Sequence, residues 1–259
     1  MSLNKPIRCW KGRRVWVVGA SSGIGAAFAQ ALIVRGARVA LSARNAQALA
    51  GIAASGSPEQ TLLLPLDVTL PEEIAAAFNR INLTWSGLDL AVLLAGSHQP
   101  VRAWELDAAR ARTLVETNLI GVLNASAALV PAFCRSAQGA IAIISSVAGY
   151  GGLPSNLVYG ATKAALINFA ETLYLDLAPR GIGVYLINPG FVKTPLTDRN
   201  EFKMPALISA EEAAREMIKG FEDGKFEIHF PKRFTFWLKL LRILPYRIYF
   251  PLIHKFTGL

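Results

Sequence analysis

The sequence predicts an α/β fold in which helices cover both faces of a doubly wound parallel sheet. Short apolar segments alternate along the chain with amphipathic or alanine-rich segments, a pattern typical of alternating strands and helices. The apolar segments are hydrophobic at nearly every position, as expected of strands in a parallel sheet buried on both faces. With 259 residues, 53% of them hydrophobic, the chain is long enough to form one large core. We therefore expect a single domain followed by a C-terminal extension.

Four strands and three helices are predicted in the first half of the chain. The strands are expected at residues 14–19, 38–42, 61–66 and 88–94, and the helices between them at 24–35, 46–54 and 71–83. Parallel strands joined through helices require crossover connections, which are right-handed in nearly all proteins. The order of elements therefore predicts a doubly wound sheet.

The second half of the chain continues this alternation. A helical stretch is expected at 107–135, a strand at 140–145, a helix at 159–178, and strands at 183–187 and 226–230. Between the last two strands, Ser209 and Glu212 have the spacing of a capping box, which predicts a helix that begins there and ends near residue 223.

Basic residues are concentrated at the C-terminus. The net charge is +9, from 27 basic and 18 acidic residues, but residues 228–259 contain six basic and no acidic side chains. The first 227 residues therefore carry 21 basic and 18 acidic side chains, a balance of only +3. A nearly neutral body argues against a nucleic-acid-binding groove on the folded domain. We expect residues 1–231 to form the domain and residues 232–259 an amphipathic extension rich in basic and aromatic residues.

The extension permits two interpretations. If residues 234–244 are helical, Thr235, Lys239, Arg242 and Tyr246 form a narrow polar stripe and the other faces are mostly apolar. The segment is too short and too charged to span a bilayer. Basic residues beside aromatic ones suit an interfacial segment attracted to anionic lipid. A tail folded against its own domain, or against a partner subunit, explains the pattern equally well.

The cysteines and the N-terminus bear on the cellular compartment. Cys9 and Cys134 are far apart, without a C-x-x-C pair or metal-ligand spacing, so we predict neither a disulfide framework nor a metal site. The first twelve residues contain no apolar stretch of the length that a signal peptide needs. The sequence therefore predicts a cytoplasmic protein.

A glycine-rich turn follows the first predicted strand. Its sequence is Gly19-Ala20-Ser21-Ser22-Gly23-Ile24-Gly25, and it leads directly into a helix. Glycine allows positive φ angles and close approach of the backbone, and a helix N-terminus offers N–H groups and partial positive charge to a phosphate. In a strand–turn–helix context this pattern predicts a site for the pyrophosphate of a dinucleotide.

A second pattern lies at the start of a predicted helix. Tyr159 and Lys163 are four residues apart and therefore share a helix face. Ser146 ends a predicted strand thirteen residues before Tyr159, and Asn118 lies in the helical stretch upstream. Together with the G-x-x-x-G-x-G spacing, these residues resemble the Asn-Ser-Tyr-Lys tetrad of the short-chain dehydrogenase/reductase family, over roughly residues 14–230.

The resemblance implies a Rossmann-type three-layer sandwich and an oxidoreductase that interconverts a carbonyl and an alcohol. Tyr159 is expected to act as the general acid or base, and Lys163 to lower the pKa of its phenol and to hold the nicotinamide ribose. Ser146 is expected to donate to the substrate oxygen, and Asn118 to anchor a water in the proton relay. The alternative is a non-catalytic redox sensor or scaffold of the same fold that binds the nucleotide.

The resemblance also indicates which cofactor is used. Related enzymes that use NAD carry an acidic residue at the end of the second strand, where this chain has Ala43 and Arg44. A guanidinium binds a 2′-phosphate through paired hydrogen bonds, so we predict NADP(H), with Ser42 as a second phosphate contact. Asp67 resembles the position that contacts the adenine, although it also suits a cap of the following turn.

The full set of predicted cofactor contacts covers several loops. It consists of Gly19, Ser21, Ser22, Gly23, Ile24, Gly25, Ser42, Arg44, Asp67, Val68, Ala95, Gly96, Asn118, Tyr159, Lys163, Pro189, Gly190, Val192 and Thr194. The last four resemble the segment that meets the nicotinamide carboxamide. One motif departs from the family pattern, because Leu93-Leu94-Ala95-Gly96 stands where relatives often have Asn-Asn-Ala-Gly. This departure puts the local hydrogen bonding in doubt.

The substrate side is less specific. By resemblance, residues 191–207 form a lid, and Tyr150 and Leu153 suggest an apolar pocket, which favours a lipophilic small-molecule substrate. His98 is expected to line the pocket or the surface rather than act as a catalyst or metal ligand. The resemblance further implies a homodimer or homotetramer.

Overall fold

The computed structural model describes residues 2–197 and 204–258, in which strands and helices alternate. The strands are β1 (Arg14–Val18), β2 (Arg38–Ser42), β3 (Thr61–Leu63), β4 (Leu90–Leu93), β5 (Ala140–Ile144), β6 (Gly183–Pro189) and β7 (Glu227–Phe230). The helices are α1 (Gly23–Val34), α2 (Ala46–Ala53), α3 (Pro71–Trp85), α4 (Ala108–Val115), α5 (Gly121–Ser136), α6 (Leu157–Leu177), α7 (Ala210–Glu222), α8 (Lys232–Leu241) and α9 (Tyr246–Thr257). Each predicted element is present, with ends that differ by a few residues.

The strands form one parallel sheet in the order β3-β2-β1-β4-β5-β6-β7. Two hydrophobic clusters cover its faces: one contains the buried sides of α1, α2 and α7, and the other those of α3, α5 and α6. Strand residues alternate between the two clusters, so that Val15 and Val17 face one and Trp16 and Val18 the other. The fold class is therefore confirmed: the chain is a doubly wound α/β sandwich of three layers in a single domain.

The end of β3 is the largest difference from the predicted strands. Leu64 and Leu66 still donate backbone hydrogen bonds to Leu41 and Ala43, at 3.0 and 3.2 Å. Between them stands Pro65, which has no N–H group to donate. The regular strand therefore ends at Leu63, although the chain continues along β2 at the edge of the sheet.

The long helical stretch before β5 is interrupted. A π-helical turn, Glu116–Ile120, separates α4 from α5 and carries the fully buried Asn118. The whole run, Ala108–Ser136, is long enough to span a membrane and contains an 18-residue window with a mean hydropathy of 1.5. Here it is a core helix, because residues such as Leu129 and Phe133 pack against the sheet.

The C-terminal extension folds as two helices. The predicted helix at 234–244 appears as α8, which ends before Pro245, and α9 follows it. Phe234 and Leu238 of α8 pack against the core cluster that contains α6. The extension therefore lies beside β7, at the edge of the sheet.

Candidate active site

A cavity of about 520 Å³ lies at the carboxyl edge of the sheet, the usual position of ligand sites in doubly wound folds. Nearly all the predicted site residues line it. They are Gly19, Ser21, Ser22, Gly23, Ile24, Gly25, Arg44, Asp67, Val68, Ala95, Gly96, Ser146, Tyr159, Lys163, Pro189, Gly190, Val192 and Thr194. Ser42 and Asn118 are the predicted residues that lie outside this lining.

The glycine turn packs its backbone against neighbouring backbone. Gly19 has a φ of +97°, and a Cβ there would come within 2.5 Å of the Ala95 nitrogen. A Cβ on Gly25 would come within 2.1 Å of the Gly19 carbonyl oxygen. Within the described part of the chain no side chain caps α1, since Ser22 makes no such hydrogen bond. The helix N-terminus and the glycine turn thus form a cradle that fits the pyrophosphate of a dinucleotide.

The predicted role of Ser42 is wrong. Its side chain is completely buried, and its hydroxyl accepts a hydrogen bond from the indole nitrogen of Trp16 at 2.9 Å. Because strand residues alternate between faces, the Ser42 hydroxyl points into the core and not toward the cavity. Its carbonyl oxygen accepts hydrogen bonds from Gly19 and Ala20, so Ser42 helps to shape the glycine turn.

Arg44 and Asp67 lie together at the edge of the cavity. The Arg44 side chain is 78% exposed, and its Nη1 is 3.9 Å from Asp67 Oδ2. Asp67 Oδ1 accepts hydrogen bonds from the Thr69 backbone and hydroxyl, at 2.9 and 2.8 Å. These bonds, aided by the Arg44 charge, hold the pKa of Asp67 below its usual value. Asp67 therefore caps the turn and also lines the cavity.

Tyr159 and Lys163 lie near the start of α6 and both line the cavity. The Lys163 ammonium donates to the Ile144 carbonyl at 2.9 Å and lies 5.6 Å from the centre of the Tyr159 ring. Burial lowers the pKa of Lys163 to about 8. Burial also raises the pKa of Tyr159 to about 12, partly offset by a hydrogen bond with Ser146. The expected lowering of the Tyr159 pKa by Lys163 is therefore not found.

Ser146 is fixed by the turn that follows β5. Its Oγ accepts a hydrogen bond from the Ala148 backbone at 3.1 Å and lies 3.5 Å from the Pro189 carbonyl oxygen. The neighbouring Ser145 donates to the Lys163 carbonyl at 2.7 Å. A Cβ on Gly149 would come within 2.7 Å of the Lys163 carbonyl carbon, so the turn packs directly on the α6 backbone. These contacts keep Ser146 beside Tyr159.

Asn118 lies behind the cavity wall, so its expected direct contact with the cofactor is wrong. Its amide accepts from the Ser97 backbone nitrogen at 2.7 Å and donates to the Ser97 carbonyl at 2.8 Å. Gly96 lies in front of it, since a Cβ there would be 3.2 Å from Asn118 Oδ1 and 3.8 Å from Lys163 Nζ. Asn118 therefore holds the loop after β4 against α6. A π-helical turn of this kind is common at functional sites.

The leucines in the Leu93-Leu94-Ala95-Gly96 motif do not leave the loop unsupported. Leu93 is buried in the core, and the Leu94 nitrogen donates to the Val18 carbonyl at 2.7 Å. Backbone pairing and the Asn118 amide supply the local hydrogen bonds. The doubt raised by the missing asparagines is resolved in this way.

Several cavity residues have no counterpart among the sequence predictions. Thr113 of α4 and Thr117 of the π-helical turn line the cavity, as does Phe234 of α8. The ring of His98, which was expected only to line the pocket or the surface, lies edge-on to Tyr159 with 4.6 Å between centroids. Its Nε2 is 3.3 Å from Asn156 Oδ1. Of these cavity residues, only Thr113 and Thr117 could have been grouped from the sequence, because they are four residues apart in one predicted helical stretch.

Only some of the predicted lid and pocket residues line the cavity. Leu153, Phe191 and Leu196 line the cavity, whereas residues 198–203 of the predicted lid lie outside the described residues. Tyr150 does not line the cavity. Its hydroxyl donates to Glu227 Oε1 at 2.6 Å, which directs the ring toward the C-terminal helices.

Comparison with known proteins identifies the family. The pattern of the short chain dehydrogenase family matches residues 13–204. An uncharacterized oxidoreductase of Myxococcus xanthus is 34% identical over 235 residues, which cover 90% of this chain and 93% of that protein. A short chain dehydrogenase of Burkholderia cenocepacia, solved with NADP, is 27% identical, with a TM-score of 0.80 over 95% of this chain and 98% of its own.

A second solved structure shows the same fold with the other cofactor. It is a short chain dehydrogenase/reductase of Burkholderia phymatum, solved with NAD. It is 24% identical, with a TM-score of 0.81 over 89% of this chain and 93% of its own. The family match, the relative and the cavity with its Ser-Tyr-Lys group agree. The chain is an oxidoreductase of the short-chain dehydrogenase/reductase family.

Proposed function

We propose that the protein is an NADP(H)-dependent enzyme that interconverts a carbonyl and an alcohol on a lipophilic substrate. One observation carries the proposal: Tyr159, Ser146 and Lys163 share a cavity with the glycine cradle. A phenol, a hydroxyl and an ammonium are the groups that proton transfer to a carbonyl oxygen needs. The cradle would hold the pyrophosphate, and Lys163 the nicotinamide ribose.

In the reduction, the cofactor would supply the hydride and the protein chain the proton. A bound reduced nicotinamide supplies the hydride that the carbonyl carbon accepts. Tyr159, whose pKa is about 12, is protonated at neutral pH and donates its proton to the carbonyl oxygen, which becomes the alcohol. The resulting phenolate is stabilised by the Ser146 hydrogen bond, and it regains a proton from solvent. For alcohol oxidation, Tyr159 accepts the proton instead.

The preference for NADP(H) over NAD(H) is supported by Arg44. Its exposed guanidinium lines the cavity after β2, where it could pair with a 2′-phosphate. Asp67 lies near it, but its carboxylate is engaged by Thr69. The Arg44 charge therefore favours binding of a 2′-phosphate at this edge of the cavity.

A lipophilic substrate is supported by the wall of the cavity beyond Tyr159. The apolar side chains there belong to Leu153, Phe191, Leu196 and Phe234. An apolar wall with a few converging polar groups is typical of small-molecule sites. It binds an apolar substrate body while Ser146 and Tyr159 hold the oxygen.

Association into a homodimer or homotetramer and a cytoplasmic location remain predictions. Leu157 and Leu175 of α6 are exposed apolar side chains. These side chains are consistent with a contact between subunits.

The mechanism is tested by replacing the phenol. Tyr159→Phe should lower turnover by roughly 10²- to 10⁴-fold, the usual contribution of a general acid, with reduced-nucleotide binding kept. Turnover is followed through the absorbance of the reduced nicotinamide, against a panel of ketones and alcohols. The matched control is Tyr174→Phe on the same helix, whose hydroxyl donates to the Leu3 carbonyl at 2.8 Å. Equal turnover in the two variants would refute the mechanism.

If the wild type binds the nucleotide but turns over no member of the panel, a nucleotide-binding sensor or scaffold is favoured.

A further inference from the structure

Of the predicted polar stripe, Thr235 and Lys239 of α8 face the protein, whereas Arg242 and Tyr246 are exposed. Thr235 is completely buried, and its hydroxyl lies 2.6 Å from the His229 ring nitrogen. The Lys239 ammonium pairs with the carboxylate of Glu227 on β7. The same carboxylate accepts from the Asn188 amide at 2.9 Å. Buried polar bonds thus fix which side of α8 faces inward.

The outward side of α8 is apolar as a consequence. Phe236, Trp237, Leu240 and Ile243 are exposed, Trp237 by 61% and Ile243 by 78%. These positions follow the i, i+4, i+7 spacing of a single helical face. The helix therefore exposes apolar side chains on its outward side, while Phe234 and Leu238 pack inward against the core.

The second helix extends this apolar surface. Tyr249 of α9 donates its hydroxyl to the Gly152 carbonyl at 2.7 Å, and Ile253 is buried beside it. With these two residues as anchors, α9 leaves Tyr246, Phe250 and Phe256 exposed. We call the exposed apolar and aromatic side chains of α8, of α9 and of the segment between them the C-terminal face; they are Phe236, Trp237, Leu240, Ile243, Tyr246, Ile248, Phe250 and Phe256.

Positive charge surrounds this face. Lys232 and Arg233 are exposed at the start of α8, and Arg247 and Lys255 on α9. No acidic residue occurs from residue 228 to the C-terminus. A second copy of the chain would therefore meet the face with the same sign of charge. A partner of opposite charge with an apolar interior matches it better.

We propose that the C-terminal face binds the surface of an anionic lipid bilayer, with α8 and α9 lying in the interface. Tryptophan and tyrosine side chains favour the membrane–water boundary, and basic residues at the boundary are attracted to anionic headgroups. Ten- and twelve-residue helices are too short to cross the hydrocarbon core. Binding of this kind requires no rearrangement of the two helices, because their polar contacts to the domain are already made.

The face is connected to the cavity through α8 itself. Phe234 lines the cavity, whereas Phe236 and Trp237 are exposed on the other side of the same helix. Leu238 and Leu241 also adjoin Leu153, a cavity residue. If the proposed function holds, a substrate dissolved in the membrane is presented beside the wall of the cavity. Membrane binding itself is independent of the proposed function.

The test is cosedimentation of the full chain with vesicles of phosphatidylcholine, with and without phosphatidylserine. We expect binding to the anionic vesicles, at least about tenfold weaker binding without phosphatidylserine, and weakening with salt. The double variant Phe236→Asp/Trp237→Asp should lose at least about tenfold in anionic-vesicle binding. The matched control is Val34→Asp/Leu83→Asp, two exposed apolar residues on α1 and α3, which should bind as the wild type does.

Three results would overturn the proposal. The first is equal vesicle binding by the two double variants, and the second is no vesicle binding by the wild type. The third is a loss of self-association in Phe236→Asp/Trp237→Asp during sedimentation without lipid, which would assign the face to a second copy of the chain. Thermal unfolding of each variant verifies that it is folded. Binding of reduced nucleotide, which should be unchanged, separates this result from a failure of the proposed enzymatic function.

Discussion

Arg44 and Ser42 are two residues apart, yet their side chains have opposite surroundings. Arg44 is exposed at the edge of the cavity, whereas the Ser42 hydroxyl is buried against Trp16. The sequence could identify both as the end of the second strand but did not settle which face each would take. The reason is that the side chain of the last strand residue is still directed to one face of the sheet by the alternation along the strand. The side chains of the residues beyond the strand are free to turn toward the cavity.

Arg44→Asp should reverse the cofactor preference. The guanidinium would be replaced by a charge that repels a 2′-phosphate, and a hydrogen bond to a charged group contributes about 1.5–3 kcal/mol, or roughly 10- to 100-fold in affinity. The ratio of kcat/KM with NADPH to that with NADH measures the effect. Arg35→Asp is the control, because Arg35 ends α1 outside the cavity lining. An unchanged ratio in Arg44→Asp contradicts the assignment of NADP(H).

At the scale of elements, the glycine turn and α1 act as one unit. Gly19 and Gly25 approach each other so closely that a Cβ on Gly25 has no room. The turn depends equally on the loop after β4, because a Cβ on Gly19 would collide with the backbone of Leu94 and Ala95. Two loops far apart in sequence therefore determine the shape of the cradle.

Gly25→Ala should lower the affinity for reduced nucleotide by at least about tenfold, because the Gly19 carbonyl or the start of α1 must move. The matched control is Gly51→Ala in α2, where a Cβ meets nothing within 4 Å. That substitution should stabilise the fold by about 0.5–1 kcal/mol. Cofactor fluorescence titration and thermal unfolding measure the two effects. A Gly25→Ala variant that is less stable but binds normally would show that the turn serves packing only.

The elements that the sequence predicted are those set by local pattern, and the exceptions depend on distant contacts. The apolar strands and the Ser209–Glu212 capping box are local, and the structure contains them. The π-helical turn around Asn118 forms where its amide pairs with Ser97, 21 residues away. The site follows the same division: the glycine turn and the Tyr159–Lys163 pair were predictable, whereas the Phe234 contribution depends on how α8 packs.

For the whole molecule, the buried ammonium of Lys163 carries a cost in stability. Its pKa is about 8 in the folded protein against an ordinary value of 10.5, which corresponds to roughly 3 kcal/mol. Between these two pH values the unfolded state binds more protons than the folded state. Stability therefore rises with pH through this window, and the full cost applies below about pH 8.

Lys163→Met should consequently be more stable than the wild type at pH 7, by roughly 1–3 kcal/mol, since about 1 kcal/mol is lost with the bond to Ile144. The advantage should shrink toward pH 10, where the wild type is largely deprotonated at this site. Denaturant unfolding across this pH range measures the difference. Lys219→Met, on the exposed side of α7, is the control and should show no comparable pH dependence. A constant difference between Lys163→Met and the wild type would contradict the low pKa.

The contribution of α8 to the cavity wall has a consequence for how the protein matures. The wall contains Gly19 near one end of the chain and Phe234 near the other. Synthesis proceeds from the N-terminus, and folding begins before it is complete. The glycine cradle can therefore form on the nascent chain, while the side supplied by Phe234 stays open until α8 has been synthesised. The nucleotide end of the site is ready first, and the substrate end is finished last.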